Sequence, residues 1–122
     1  MNYRISRALV CVAFAWTASA AFAGEASVTA AKATKTNAGW RFDVTVQHAD
    51  TGWDHYADAW RVVSKDGTVF GTRTLYHPHV DEQPFTRSLS GVAIPSGVTE
   101  VIVESHDSVH GWGGQQVVVQ LQ

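Results

Sequence analysis

The chain has 122 residues, nine lysines and arginines against eleven aspartates and glutamates, and a formal charge of −2. About 100–150 residues enclose one hydrophobic core and not two, and a mildly acidic balance without a basic stripe excludes a nucleic-acid or anionic-membrane surface. A single cysteine excludes an internal disulfide.

The first seven residues carry Arg4 and Arg7 and no acid, and an apolar run over 8–15 continues through small residues to Ala23. This is the charged head and apolar middle of a secretory signal, closing on Ala21-Phe22-Ala23, so cleavage is expected to leave Gly24 as the new N-terminus. The run is short of the roughly 20 apolar residues of a membrane span. Cys11 is separated from Arg7 by Ala8, Leu9 and Val10 alone, too few apolar residues for the middle of a lipoprotein signal. The expected organisation is a signal peptide over 1–23 and one domain over 24–122, working in the periplasm or secreted. The leader takes Arg4 and Arg7 with it, so seven basic residues face eleven acidic ones and the mature charge becomes −4. Cys11 and Met1, the only ones of their kinds, leave as well, so stability must come from packing.

Along the mature chain, two-residue alternation dominates. Trp40, Phe42, Val44 and Val46 alternate with Arg41, Asp43, Thr45 and Gln47, the pattern of a half-buried strand. Val101 and Val103 against Glu100 and Glu104, and Val117, Val119 and Leu121 against Gln116 and Gln120, give two more. With a first strand over 27–33, strands flanking Asp66-Gly67 over 59–65 and 68–76, and a weaker one over 85–91, the chain reads as seven strands over 27–33, 40–47, 59–65, 68–76, 85–91, 98–105 and 116–121. Turn signals at Asn37-Ala38-Gly39, Asp66-Gly67 and Pro95-Ser96-Gly97 separate them. The expected fold is all-β, a seven-stranded antiparallel β-sandwich. In order and spacing of strands it resembles an immunoglobulin-like or fibronectin-type-III-like domain, at the level of architecture and without the cysteine pair; architecture of this kind implies no activity.

If each strand reverses direction, the 40–47/59–65, 68–76/85–91 and 98–105/116–121 connections share one end. All six histidines lie in or beside them: His48 and His55, His77 and His79, His106 and His110. The same loops hold Asp50, Asp54, Asp58, Asp81, Glu82 and Asp107 with Trp53, Tyr56 and Trp112. Clustered imidazoles and carboxylates are the donor set of zinc and copper sites. His77-Pro78-His79 is the sharpest local element, because residues i and i+2 on an extended segment face the same way and Pro78 stiffens it. His77 and His79 are therefore the expected core ligands, with His106, His110, His48 or His55 completing the site and Asp54 or Asp107 orienting an imidazole. With no mature thiol or thioether, Cu(II) or Zn(II) fits better than Cu(I). His48 also follows the inward parity of Trp40 to Val46 and so is suited to cap the core.

The sequence thus points to an exported metal-binding protein for storage, delivery or tolerance of copper or zinc. The alternative is a non-enzymatic module whose aromatic and acidic rim docks another envelope protein, made pH-sensitive by its histidines. Trp40 and Trp60 are expected in the core, and Trp53 and Trp112 are expected to pack down over the rim loops. Ser105, His106, Asp107 and Ser108 are too close in sequence on an extended segment to form a hydrolytic triad, and no catalytic residue is assigned.

Overall fold

The computed structural model describes residues 24–121; the leader expected over 1–23, with Cys11, lies outside the described residues. Every regular element among the described residues is a strand: β1 (Ser27–Thr36), β2 (Gly39–Gln47), β3 (Ala57–Val63), β4 (Val69–Thr74), β5 (Phe85–Val92), β6 (Glu100–Asp107) and β7 (Gly111–Gln120). They form two sheets, β1-β2-β5 and β4-β3-β6-β7, and all pairings are antiparallel. The all-β sandwich is therefore as the alternation requires. No described helix is long and apolar enough to cross a membrane.

The core follows from the two-residue period. Phe42, Val44 and Val46 of β2 are fully buried, and Arg41 and Gln47 between and beyond them are exposed. Val28 of β1, Trp60 and Val62 of β3, and Val101 and Val103 of β6 meet them from both sheets. Each such side chain contributes about 1.5–3 kcal/mol on burial. Trp60 is the largest fully buried side chain, and Trp40 packs against the core margin.

Two connections differ from the sequence expectation. The chain reverses at Asp66-Gly67 through a wider connection over 64–68, held by Ser64 N–H donating to the Thr68 carbonyl at 2.9 Å and by Thr68 N–H donating to Asp66 Oδ1 at 3.1 Å. More consequentially, β7 begins at Gly111 and not near 116. Glycines at 111, 113 and 114 read as loop, yet Asp107↔Gly111, His106↔Trp112 and Ser105↔Gly113 continue the β6–β7 ladder across a register shift. The connection shrinks to residues 108–110, and His106, Asp107 and Trp112 become strand residues.

The same glycines let β7 approach the start of β1. Gly114 N–H donates to Glu25 Oε2 at 2.7 Å and Gln115 N–H to Ser27 Oγ at 3.2 Å. A Cβ on Gly114, at φ +69°, would stand 1.8 Å from the Ala26 carbonyl oxygen. Gly114→Ala is therefore expected to destabilise the domain by about 2 kcal/mol or more, from left-handed strain plus a backbone clash, lowering Tm by on the order of 10 °C. Gly67→Ala, at φ +88° with open space around it, is expected to cost only the conformational part, about 1 kcal/mol; thermal melts of the two variants that gave equal losses would contradict this account of the β1–β7 seam.

Candidate metal centre at the histidine end

Consistent strand reversal places the β2–β3, β4–β5 and β6–β7 connections at one end, and the six histidines lie in or against them. Two buried carboxylates organise that end. Asp50, with no exposed side-chain surface, accepts from the His48 imidazole Nδ1 at 2.5 Å and the Ala57 N–H at 2.9 Å on Oδ1, and from the His79 N–H at 2.7 Å on Oδ2. One side chain thus joins the end of β2, the start of β3 and the β4–β5 connection. Gln83 adds a second tie, accepting from His48 N–H at 3.1 Å and donating to the His79 carbonyl at 3.0 Å.

Asp107 ends β6 and is equally buried. Its Oδ1 accepts from the Val109 and His110 N–H groups at 2.9 and 2.8 Å, which shape the 108–110 turn, and from His55 Nε2 at 2.9 Å and His110 Nδ1 at 3.1 Å. Its Oδ2 is buried and has no hydrogen-bond partner. The imidazoles gather around this carboxylate: the His48 and His55 ring centroids are 4.6 Å apart and those of His55 and His110 are 4.9 Å apart. His48, His55 and Asp107 each present a ligand atom within 4.8 Å of the other two, a group that can hold a metal ion. It is the one group of three such residues found among the described residues.

The remaining sequence candidates stand outside that group. The rings of His77 and His79 are neighbours, 4.6 Å between centroids, but His79 is stacked on Phe85 at 3.9 Å and its Nε2 accepts from Arg87 Nη2 at 2.9 Å. His106 is held through Nδ1 by Asp58 and lies edge-on to Trp112 at 4.8 Å; Trp112 in turn carries the Arg61 guanidinium 3.8 Å over its ring. Asp54 and Asp81 are exposed. Trp112 packs as expected, whereas Trp53 does not: it is 69% exposed and meets Tyr56 edge-on at 5.6 Å. Gln83 and Arg87 are residues of this end that the sequence pattern does not single out, and Asp50, placed on the rim by its loop, has a central structural role that the pattern does not assign.

Charge at this end is arranged by partner. His48 Nε2 faces the Gly24 carbonyl at 2.8 Å while Nδ1 faces Asp50; two acceptors call for two N–H groups, so the ring is an imidazolium. Burial works against that charge, but the Asp50 and Gly24 hydrogen bonds and the charges of Asp50 and Asp107 outweigh it and raise the pKa above 6.5. His79 is the opposite case. Burial, then the charges of Arg87 and His77, lower its pKa, and accepting from Arg87 fixes it as the neutral Nδ1–H tautomer. Burial would raise both carboxylates, yet the hydrogen bonds from His48, His79 and Ala57 to Asp50, and from His110, Val109 and His55 to Asp107, pull them below 3.8.

Two expectations follow. Asp50→Ala strands three buried donors and is expected to cost about 3–5 kcal/mol, with Tm falling by more than 10 °C. The pH dependence has a definite sign. The stability from Asp50 and Asp107 is complete above 3.8 and is lost as pH falls through their depressed folded values. That from His48 is complete below 6.5 and fades as pH rises through its elevated folded value; that from His79 is complete above 6.5 and fades as pH falls. Urea midpoints measured against pH should therefore drop in acid below about pH 4, and the drop should shrink in Asp50→Ala. An acid limb unchanged in that variant contradicts the role given to Asp50.

No protein-family model matches the chain, and no solved structure matches it. A protein of Halomicrobium mukohataei called "Putative lipoprotein" is 46% identical over 81 residues, covering 66% of this chain and 39% of that protein. The chain thus spans about two fifths of the length of the relative it matches.

Proposed function

We propose that this is an exported metal-binding protein that holds Zn(II) or Cu(II) at His48, His55 and Asp107, for storage, delivery or tolerance of the ion. The observation that carries the reading is Asp107, whose buried Oδ2 has no hydrogen-bond partner and whose carboxylate lies within ligand spacing of the His48 and His55 imidazoles. A buried charge half unsatisfied costs several kcal/mol, and a cation among these donors is what would relieve it. Imidazole and carboxylate are the donors preferred by Zn(II) and Cu(II). Asp50 orients His48 through Nδ1, as carboxylates orient ligating histidines, and Nε2 becomes a ligand once it gives up its proton to solvent and the Gly24 carbonyl yields, so binding releases a proton. His110, bonded to the same carboxylate, is the nearest further donor. The 1–23 leader and the name of the 46% identical relative both support export.

Isothermal titration of the purified protein with Zn(II) and with Cu(II) tests this. The expected result is a dissociation constant tighter than about 10 µM for at least one ion, weakened by about 100-fold or more in His55→Ala and Asp107→Asn and unchanged in His77→Ala. Binding weaker than that for both ions, or loss on changing His77 alone, contradicts it.

A second reading is favoured by one specific feature, the apolar crown of the same end. Trp53 is 69% exposed, Tyr76 73%, Val80 53% and Val109 59%, each from one of the three connections that meet there, with Asp54, Asp81 and Glu82 exposed among them. Exposed aromatics at one end of a rigid scaffold are typical anchors of protein contacts. Under this reading the rim docks another envelope protein whether or not metal is present. Crosslinking in cell envelopes should then give a partner band that Trp53→Ala reduces by tenfold or more; a band indifferent to Trp53 and Tyr76 counts against it.

A further inference from the structure

Four arginines lie among the described residues. Two are paired on outward faces, Arg41 with Asp43 at 3.1 Å and Arg61 with Glu104 at 2.5 Å. Arg73 and Arg87 form no ion pair with any described residue. Their positions explain why that is unusual. Arg73 on β4 stands opposite Trp60, and Arg87 on β5 stands opposite Val44; residues directly opposite on a ladder share a face, and Trp60 and Val44 are fully buried. Both arginines therefore occupy the inner faces of their sheets, and both strands are sheet edges.

The two edges lie side by side on one flank of the sandwich. A Cβ on Gly71 of β4 would stand 3.0 Å from Leu89 Cδ2 and 3.4 Å from Val92 Cγ2 of β5. The strands run in opposite directions, so two residues toward the histidine end from Gly71 is Arg73, and two residues the same way from Leu89 is Arg87. The pairing of Gly71 with Leu89 thus brings the two arginines to the same level in the mouth between the sheets. Their present partners are neutral. Arg87 donates to His79 Nε2 at 2.9 Å and to the Thr86 carbonyl at 2.8 Å, with its guanidinium 5.5 Å over Phe85. Arg73 Nε is buried and has no partner.

We infer that this flank is an anion site, in which a small dianionic oxyanion of the phosphate or sulfate class bridges Arg73 and Arg87. Two guanidinium forks at one level repel each other when empty-handed and match the tetrahedral oxygens of such an ion when it lies between them. The unpartnered Arg73 Nε–H supplies one donor and the free edge of Arg87 another. In a domain of mature charge −4, two arginines without an ion pair to any described carboxylate are poised for an anion from outside the chain. The site does not depend on the metal reading, since it shares no residue with His48, His55 or Asp107.

The test is the arginine Nε–Hε region of the 1H–15N spectrum of the metal-free protein, titrated with inorganic phosphate at constant ionic strength against sodium chloride. The Arg73 and Arg87 signals should move together and saturate, with a dissociation constant of about 1 mM or tighter, and Arg73→Gln or Arg87→Gln should weaken binding by about tenfold or more. If the glutamine variants do not fold, Arg73→Lys keeps the charge, loses the fork, and should weaken binding while remaining measurable. A non-saturating drift equal to that in chloride means the arginines only cover Trp60 and Phe85 with their aliphatic stems, and it overturns the proposal. Vesicles containing phosphatidylglycerol form a second arm: movement with vesicles and none with free phosphate assigns the oxyanion to a lipid headgroup and overturns the free-ion site.

Discussion

Three chain segments converge on the carboxylate of Asp50, and the end of the sandwich that carries the histidines has its shape because they do. Taking an ionised carboxylate out of water costs several kcal/mol, and Asp50 recovers this through two backbone N–H groups and the His48 imidazolium. The Ala57 bond fixes where β3 begins, the His79 bond draws the β4–β5 connection inward, and the His48 bond sets the ring that faces His55. Asp107 repeats the device one strand pair away, with a difference that matters for function. All its bonds fall on Oδ1, and Oδ2 receives none. One carboxylate is spent on structure, and the other keeps one oxygen unbonded beside a pair of imidazoles held on its partner oxygen.

The histidines divide in the same way. His48 is held charged between a carboxylate and a carbonyl, whereas His79 is held neutral by an arginine that donates into it. The two residues hang from the same aspartate, His48 by its side chain and His79 by its backbone. Their protonation states are opposite because the partner of each second nitrogen is opposite, an acceptor for His48 and a donor for His79. Histidine count alone says nothing about this.

The fold could be read from the chain because its signal is local and repeated. Apolar residues at even positions from Trp40 to Val46 face one way in any extended strand, and seven such segments with turns between them leave few arrangements other than two packed sheets. Gathering of the histidines at one end followed from the same parity and needed no knowledge of side-chain positions. The site itself could not be read so fully. His77-Pro78-His79 drew attention because its spacing is visible along the chain, but the group in ligand spacing is drawn from three places, 48, 55 and 107, separated by seven and fifty-two residues. What disengages His79 is Arg87, which follows it at the start of β5 and reaches back to the ring. The glycines near 113 point the opposite way: their composition is that of a loop, yet they are strand residues whose missing side chains let Glu25 and Ala26 pass close by.

The central claim, that the metal is taken by the imidazoles around Asp107 and not by the Pro78-linked pair, is tested most directly by long-range 1H–15N correlation spectra of the imidazole nitrogens before and after one equivalent of Zn(II). The account predicts that metal-free His48 shows two protonated nitrogens and His79 one, at Nδ1, and that added zinc shifts the ring nitrogens of His48 and His55 together while those of His79 keep their positions. A spectrum in which His77 and His79 respond first, or in which no imidazole responds, would contradict it.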